Sequence, residues 1–178
     1  MTLLRGGMLG VALGLGTVAG LAGAGGGGAP PPQAVCAPGY VRPDFAALRR
    51  ELASARTRWA LAGIRDYAYD FTEVAAPVLF PAVRVSVRQR QVQAVAVAAG
   101  QQGEPGPNAW GTVEDRFAAV ASLLADGRSR PCPVVETDYD PQLGHPTRLY
   151  SGSGEANIAD GWGEWRITNF TRVVPGGP

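Results

Sequence analysis

Tyr67-Ala68-Tyr69-Asp70-Phe71-Thr72 alternates aromatic rings with small or polar side chains at a period of two. A strand sends successive side chains to opposite faces, so this stretch reads as a strand with one buried, aromatic face and one wet face. Val83, Val85 and Val87 repeat the pattern around Arg84, Ser86 and Arg88. Gln89-Arg90 then reads as a turn, with residues 92–98 as the hairpin partner. Upstream the period is different. Phe45, Leu48, Leu52, Ala55, Trp59 and Ala62 recur at steps of three and four, while Arg49, Arg50, Glu51, Arg56 and Arg58 take the other sides. That is an amphipathic helix laid on something flat. Asp44 is its expected N-cap and Gly63 its stop.

The same succession recurs downstream. Residues 101–108 are rich in Gly and Pro and read as a loop. Thr112 can cap the next helix, where Glu114 and Asp115 suit the positive end of the dipole. Val113, Phe117, Val120 and Leu124 form its apolar stripe, and Gly127 ends it. Strands are expected over 134–139, 147–151 and 165–173. Two rounds of helix followed by three strands, α-β-β-β-α-β-β-β, predict an α+β domain: both helices on one face of an antiparallel sheet of about six strands. The two rounds share no clear sequence repeat.

The ends of the chain have other compositions. Arg5, the uncharged apolar run Met8 to Ala24 and the small-x-small triplet Ala22-Gly23-Ala24 read as a cleavable signal peptide over residues 1–24. The run is short for a membrane anchor and diluted by five glycines. Cys36 is a poor lipidation site, because Gln33-Ala34-Val35 lacks the apolar residue a lipobox carries three positions earlier. Residues 25–40 read as a Gly/Pro-rich linker, 41–174 as a single domain and 175–178 as a disordered tail. Without the leader, 15 Arg face 15 acidic residues, and the chain contains no Lys. A neutral surface of this kind offers no electrostatic footprint for nucleic acid. Cys36 and Cys132 are expected to pair, since exported proteins seldom keep free thiols.

The most distinctive stretch is Tyr139-Asp140-Pro141-Gln142-Leu143-Gly144-His145-Pro146-Thr147-Arg148-Leu149, followed by Asn157-Ile158-Ala159-Asp160 and by Ile167-Thr168-Asn169-Phe170. It reads as a hairpin in which Asp140-Pro141 starts the turn, Gly144 supplies positive φ and Pro146 stiffens the return strand. These motifs resemble a bacterial domain-of-unknown-function family of small exported proteins and lipoproteins. Its members carry a Y-D-x-x-x-G-[YH]-P-x-x-[IL] hairpin, an N-x-x-D turn and a final I-x-N-[FL] strand. Trp59, Tyr67-Ala68-Tyr69 and the Thr112, Glu114, Phe117 triplet match its upstream pattern, so the resemblance runs from about residue 52 to 170. It implies fold and compartment, and assigns Tyr139, Asp140, Gly144, His145, Pro146, Asn157, Asp160 and Asn169 a structural or binding role. Many such relatives carry cysteines near the Tyr-x-Tyr strand. Here Phe71-Thr72-Glu73-Val74 has none, and the Cys36–Cys132 pair offers a substitute.

Catalytic readings are weak. His145 is the only histidine, with Asp138, Asp140 and Ser151 near it in sequence, but Gly-His-Pro reads first as a turn with a partly exposed ring. Asp138, Asp140, Glu155, Asn157 and Asp160 are rich in oxygen yet lack the spacing of a calcium loop, and turns favour the same residues. One His and two distant Cys exclude a zinc cluster, and Gly152-Ser153-Gly154 cannot form a phosphate loop in a chain without Lys. No cofactor or metal is expected. Trp162, Trp165, Tyr150 and Phe170 read as sheet core before they read as an exposed aromatic surface. The expectation is an exported, monomeric, non-enzymatic binding or interaction module of the cell envelope or the extracellular space. Its partner would be met on the open sheet face or the loops around His145 and Asp160, and any membrane contact is confined to an uncleaved leader. The rival is a small envelope hydrolase or processing factor using His145 with a nearby acid.

Overall fold

The structure, a computed structural model, describes residues 34–158 and 160–173. The leader expected over 1–24 lies outside the described residues, as do the following stretch up to Gln33, Ala159, and residues 174–178. Helix α1 runs Phe45–Ala62, and the side chain of Asp44 accepts from the amides of Ala46 and Ala47. Gly63 closes it in the left-handed conformation. Helix α2 runs Val113–Asp126 behind a capping box of Thr112 and Asp115. Both caps follow from residue types that satisfy the free amides of a first turn.

Seven strands form one antiparallel sheet: β1 Tyr67–Ala75, β2 Val78–Leu79, β3 Val83–Arg88, β4 Gln91–Val97, β5 Pro133–Tyr139, β6 Pro146–Ser153 and β7 Gly163–Arg172. The sheet order is β4-β3-β1-β7-β6-β5, with β2 folded back on the end of β1. The α+β architecture and the order of elements are as the periodicity predicts. The addition is β2, two residues paired with Val74 and Ala75, too short to carry any alternation. Gln89 and Arg90 both have positive φ, the conformation of a tight two-residue hairpin turn that matches strand twist.

Each round of helix and strands contributes one contiguous half of the sheet, and β1 pairing with β7 joins the halves. The core lies between the helices and the inward row of the strands. Tyr67, Tyr69 and Phe71 of β1, Val83, Val85 and Val87 of β3, and Trp165 and Ile167 of β7 meet Phe45, Leu52, Ala55 and Trp59 of α1 and Val113, Phe117, Val120 and Leu124 of α2. Arg49 and Arg56 lean across from α1 and donate to the carbonyls of Leu124 and Phe117, tying the helices together.

Cys36 and Cys132 form a disulfide with Cα atoms 5.6 Å apart. The N-terminal arm is also held by backbone bonds. Ala37 N donates to Gly154 O at 2.8 Å and Ala156 N to Val35 O at 2.9 Å. The Arg42 guanidinium donates to the carbonyls of Arg128, Arg130 and Pro131. On the chain-entropy account, a bond closing a loop this long contributes up to about 4.7 kcal/mol. Urea unfolding of the protein with and without reductant is expected to show the reduced form less stable by an amount of that order and still cooperative. An unchanged midpoint would mean that the arm alone holds this edge.

Candidate functional site

The hairpin between β5 and β6 is a packed clasp. Oδ1 of Asp140 accepts from the amides of Gln142 at 2.9 Å and Leu143 at 2.6 Å, and Asp140 N donates to His145 O at 2.8 Å. The positive φ expected at Gly144 is present, at +83°. Its lack of a side chain has a second use: a Cβ there would collide with the Ala55 carbonyl and Arg58 of α1. Pro146 is fully buried, and Tyr139 stacks on Phe117.

His145 is only 3% exposed, where the turn reading expected a partly exposed ring. The correction lies in Asn169, which adopts φ +47° and makes a bulge opposite β1, the register shifting between Ala68 and Asp70. The extra residue turns Phe170 inward. Phe170 then stacks on His145 at 4.4 Å and on Tyr67 at 5.3 Å, with Trp59 edge-on. Asn tolerates the left-handed region better than most residues, and its Nδ2 donates to Asp70 Oδ2 at 2.6 Å. Asp70 also holds Arg84 at 2.9 Å.

The residues proposed for catalysis or calcium do not converge. His145 Nδ1 is buried with no hydrogen-bond partner, and the Asp140 carboxylate is occupied by its own turn. Asp138 faces the opposite side of the sheet, 3.7 Å from Arg148. Ser151 lies five residues along β6 from Pro146, about 17 Å away at the rise of a strand. Asn157 and Asp160 are exposed beyond that far end of β6. Among the described residues no three His, Cys, Asp or Glu side chains form a metal-binding group. Of the four aromatics, Trp165 is buried and Phe170 sits in the His145 cluster. Tyr150 and Trp162 stack on each other at 5.9 Å.

A different place on the fold has the features of a site. At the end of the sheet away from His145, a cleft of about 400 Å³ opens between α2 and strands β1, β6 and β7. It exists because small residues line it: Ala75, Ala119, Ser122, Ser151 and Gly163. Two charged side chains reach it from the core, Glu73 (5% exposed) and Arg116 (4% exposed). The Arg116 guanidinium lies 4.0 Å over the ring of Phe71 and 5.8 Å from that of Trp165. On its other side Gly111 makes room, since a Cβ there would fall 2.9 Å from Cζ.

Arg116 Nη2 donates to Tyr69 Oη and to Ala109 O, each at 3.3 Å, while Nε is buried without a partner. Burial pushes the Tyr69 phenol up from its ordinary range, against the pull of the adjacent guanidinium, so Tyr69 stays neutral and donates to Gly111 O. Glu73 accepts from the backbone amide of Asn108 at 3.2 Å and from the Asn108 side chain. Among the described residues neither Glu73 nor Arg116 forms an ion pair. Two buried, opposite charges therefore share one cleft without meeting.

Both charges were in phase with the buried rows that the sequence displays. Glu73 continues the inward register of Tyr67, Tyr69 and Phe71, and Arg116 falls three residues after Val113 on the stripe of α2. A charge in step with an apolar row is the signal that marks them. Asn108 sits in a loop and carries no such signal.

Residues 51–172 match the family of unknown function DUF6174, and the chain belongs to it. The match spans the cleft and the hairpin clasp, and includes Cys132 but not Cys36. No curated protein matches the chain.

Burial holds the His145 ring below its ordinary pKa, with Asp140 pulling the other way. In the unfolded chain the ring protonates as pH falls through about 6.5, while the folded ring takes up its proton only at lower pH. Stability is therefore full above about pH 6.5 and declines below it, by at most about 1.4 kcal/mol per pH unit. His145 is the sole histidine, so urea unfolding at pH 7.5 and pH 5.5 should show this loss in the native protein. His145→Phe should abolish it. Truncation by His145→Ala is expected to cost about 2–4 kcal/mol, as for other large-to-small core changes. A neutral His145→Ala would contradict the packing described above.

Proposed function

We propose that this member of the DUF6174 family is an exported, non-enzymatic binding module that takes a small polar ligand in the cleft beneath α2. The observation that carries this reading is Arg116. A guanidinium buried to 4% exposure with an unpartnered Nε is costly for a fold to keep. A cleft of about 400 Å³ beside it is within the size range of small-molecule sites.

The open sheet face is the weaker choice. Its charges are already matched: Arg148 holds Glu136 at 2.7 Å and Glu164 at 3.2 Å, and Arg84 holds Asp70. The loops around His145 are weaker still, because the ring they would present is buried. The same burial counts against the hydrolase reading, which needs a base in contact with a nucleophile and an acid.

Export rests on the leader read over residues 1–24 and is supported by the Cys36–Cys132 disulfide, a bond that persists in oxidising compartments. No helix among the described residues is long and apolar enough to cross a membrane. The ligand would be met in the envelope or outside the cell, by a monomer with no charge basis for nucleic acid.

Two measurements test this. Intact-mass analysis of the protein recovered from outside the cytoplasm should give a chain beginning after Ala24 with the disulfide formed; full-length, reduced protein confined to the cytoplasm would defeat the export reading. In a fragment screen by NMR on the labelled protein, ligands should perturb Glu73, Arg116 and Trp165 together. Hits confined to the open face, or ester or peptide hydrolysis lost in His145→Gln, would overturn the cleft as the site.

A further inference from the structure

We infer that the cleft selects a small zwitterion of the α-amino acid class, with its carboxylate on Arg116, its ammonium group on Glu73 and a short apolar side chain against the cleft wall. This rests on the reading of the cleft as the binding site and says what chemistry fills it.

The argument is one of charge balance. Glu73 and Arg116 line the same cleft, each more than nine-tenths buried and neither ion-paired. A simple anion would satisfy Arg116 and leave a second negative charge near Glu73; a simple cation would do the reverse. Only an occupant carrying both signs neutralises both groups without adding net charge to a poorly solvated space.

The available atoms agree with that division. On the guanidinium, Nε has no partner, and Nη2 holds only two long bonds at 3.3 Å. A carboxylate accepting from this group makes charge-assisted bonds stronger than those it displaces. Glu73 receives one donor on each oxygen, both from Asn108, and a carboxylate has capacity for further donors. An ammonium group has three to give.

The wall facing these charges is apolar, formed by Leu123 and Ala119 of α2 and by Leu149 and Trp165 of the sheet. A ligand the size of an amino acid can place an uncharged side chain there. The remaining carboxylates at the rim do not invite a second cation equally. Glu164 is buried enough to be pushed upward but is held below the usual carboxylate range by Arg148 and Arg166. Asp126 is exposed to water.

The experiment is a matched panel measured by calorimetry and NMR on the purified protein. Leucine, phenylalanine, valine and methionine are each compared with the analogue lacking the amino group and the analogue lacking the carboxylate. At least one amino acid should bind tenfold or more tighter than both of its truncated analogues, perturbing Glu73 and Arg116. Glu73→Gln should remove its advantage over the deaminated analogue while leaving carboxylate binding in place.

Arg116→Gln risks unfolding the core, so Ala119→Phe is the companion variant. It sits on the exposed side of α2, leaves both charges in place, and should block binding without lowering the thermal midpoint. Deaminated or decarboxylated analogues binding as tightly as the amino acids would overturn the zwitterion inference and leave the cleft as the site. The same holds if no panel member binds while another ligand class perturbs the cleft. If no ligand perturbs the cleft at all, both readings fall.

Discussion

The pairing of β1 with β7 joins strands that lie about a hundred residues apart in the chain, with Tyr67 opposite Arg172 and Ala75 opposite Gly163. Without it there are two pieces, β1–β4 and β5–β7, each with a raw edge and one helix, and neither buries enough apolar surface to be secure. The bulge at Asn169 lies on this junction. It breaks the two-residue period of β7 once, so that Ile167 and Phe170, rather than Ile167 and Asn169, face the helices. Asp70 fixes the break by holding Asn169 from β7 and Arg84 from β3 across three adjacent strands. These groups are partly exposed, so their direct contribution is modest. Their effect is on register: they favour the pairing that sends Phe170 onto His145 and Tyr67.

The core on this sheet contains polar tips, and some are joined to one another. Trp59 Nε1 donates to Glu114 Oε1 at 3.1 Å, and the Tyr67 hydroxyl accepts from Val113 N at 2.8 Å while reaching the other oxygen of Glu114. Glu114 thereby fastens α1, β1 and the start of α2 at one point. Several tips are not so joined, among them His145 Nδ1, Tyr139 Oη and Arg116 Nε, and of these groups Arg116 carries a full charge at 4% exposure. A Leu or Met at this position would pack on Phe71 without the desolvation that a buried guanidinium entails. Cation–π attraction recovers part of that cost, on the order of 2 kcal/mol when desolvated, but leaves Nε without an acceptor. Arg58 and Arg148 also leave Nε unpartnered, but among the described residues Arg116 is the arginine whose whole side chain is buried.

Periodicity carried the reading of the sequence where local physics decides the outcome. The helix caps at Asp44 and Thr112, the αL stop at Gly63 and the alternation of β1 and β3 are set within a few residues, and each is visible there. The bulge left a trace, because the apolar phase of Trp165 and Ile167 passes to Phe170 over the polar Thr168-Asn169, but a break of phase reads equally as the end of a strand until its partner's register is known. His145 was misjudged for the same reason. Its burial depends on Phe170, which sits 25 positions later, and on Trp59, far upstream. Glu73 and Arg116 stood in phase with apolar rows from the start. A charge on such a row has two outcomes, exposure by a twist of the element or burial in a cavity, and only tertiary contacts decide between them.

The two ends of the sheet's inner face show how one architecture divides its tasks. At the end where β1 begins and β7 finishes, large rings close the space: Trp59, Tyr67, His145 and Phe170 lie within 4.4 to 6.2 Å of one another in successive stacked or edge-on pairs. At the other end, reached after about 25 Å of strand, the same inward row meets Ala75, Ser151 and Gly163 instead, and the space stays open. The open end does not want for large apolar residues, because Leu123, Leu149 and Trp165 line it. Nor is the open end loosely built, since Glu73 is braced by the loop at Gly106 and Asn108, where a Cβ on Gly106 would strike the Glu73 carboxylate. A cleft whose charged groups are fixed by rigid neighbours requires little reordering to accept a ligand. The filled end supplies apolar burial that the open end lacks, and the open end instead holds the two buried charges, whose desolvation the packing elsewhere must offset.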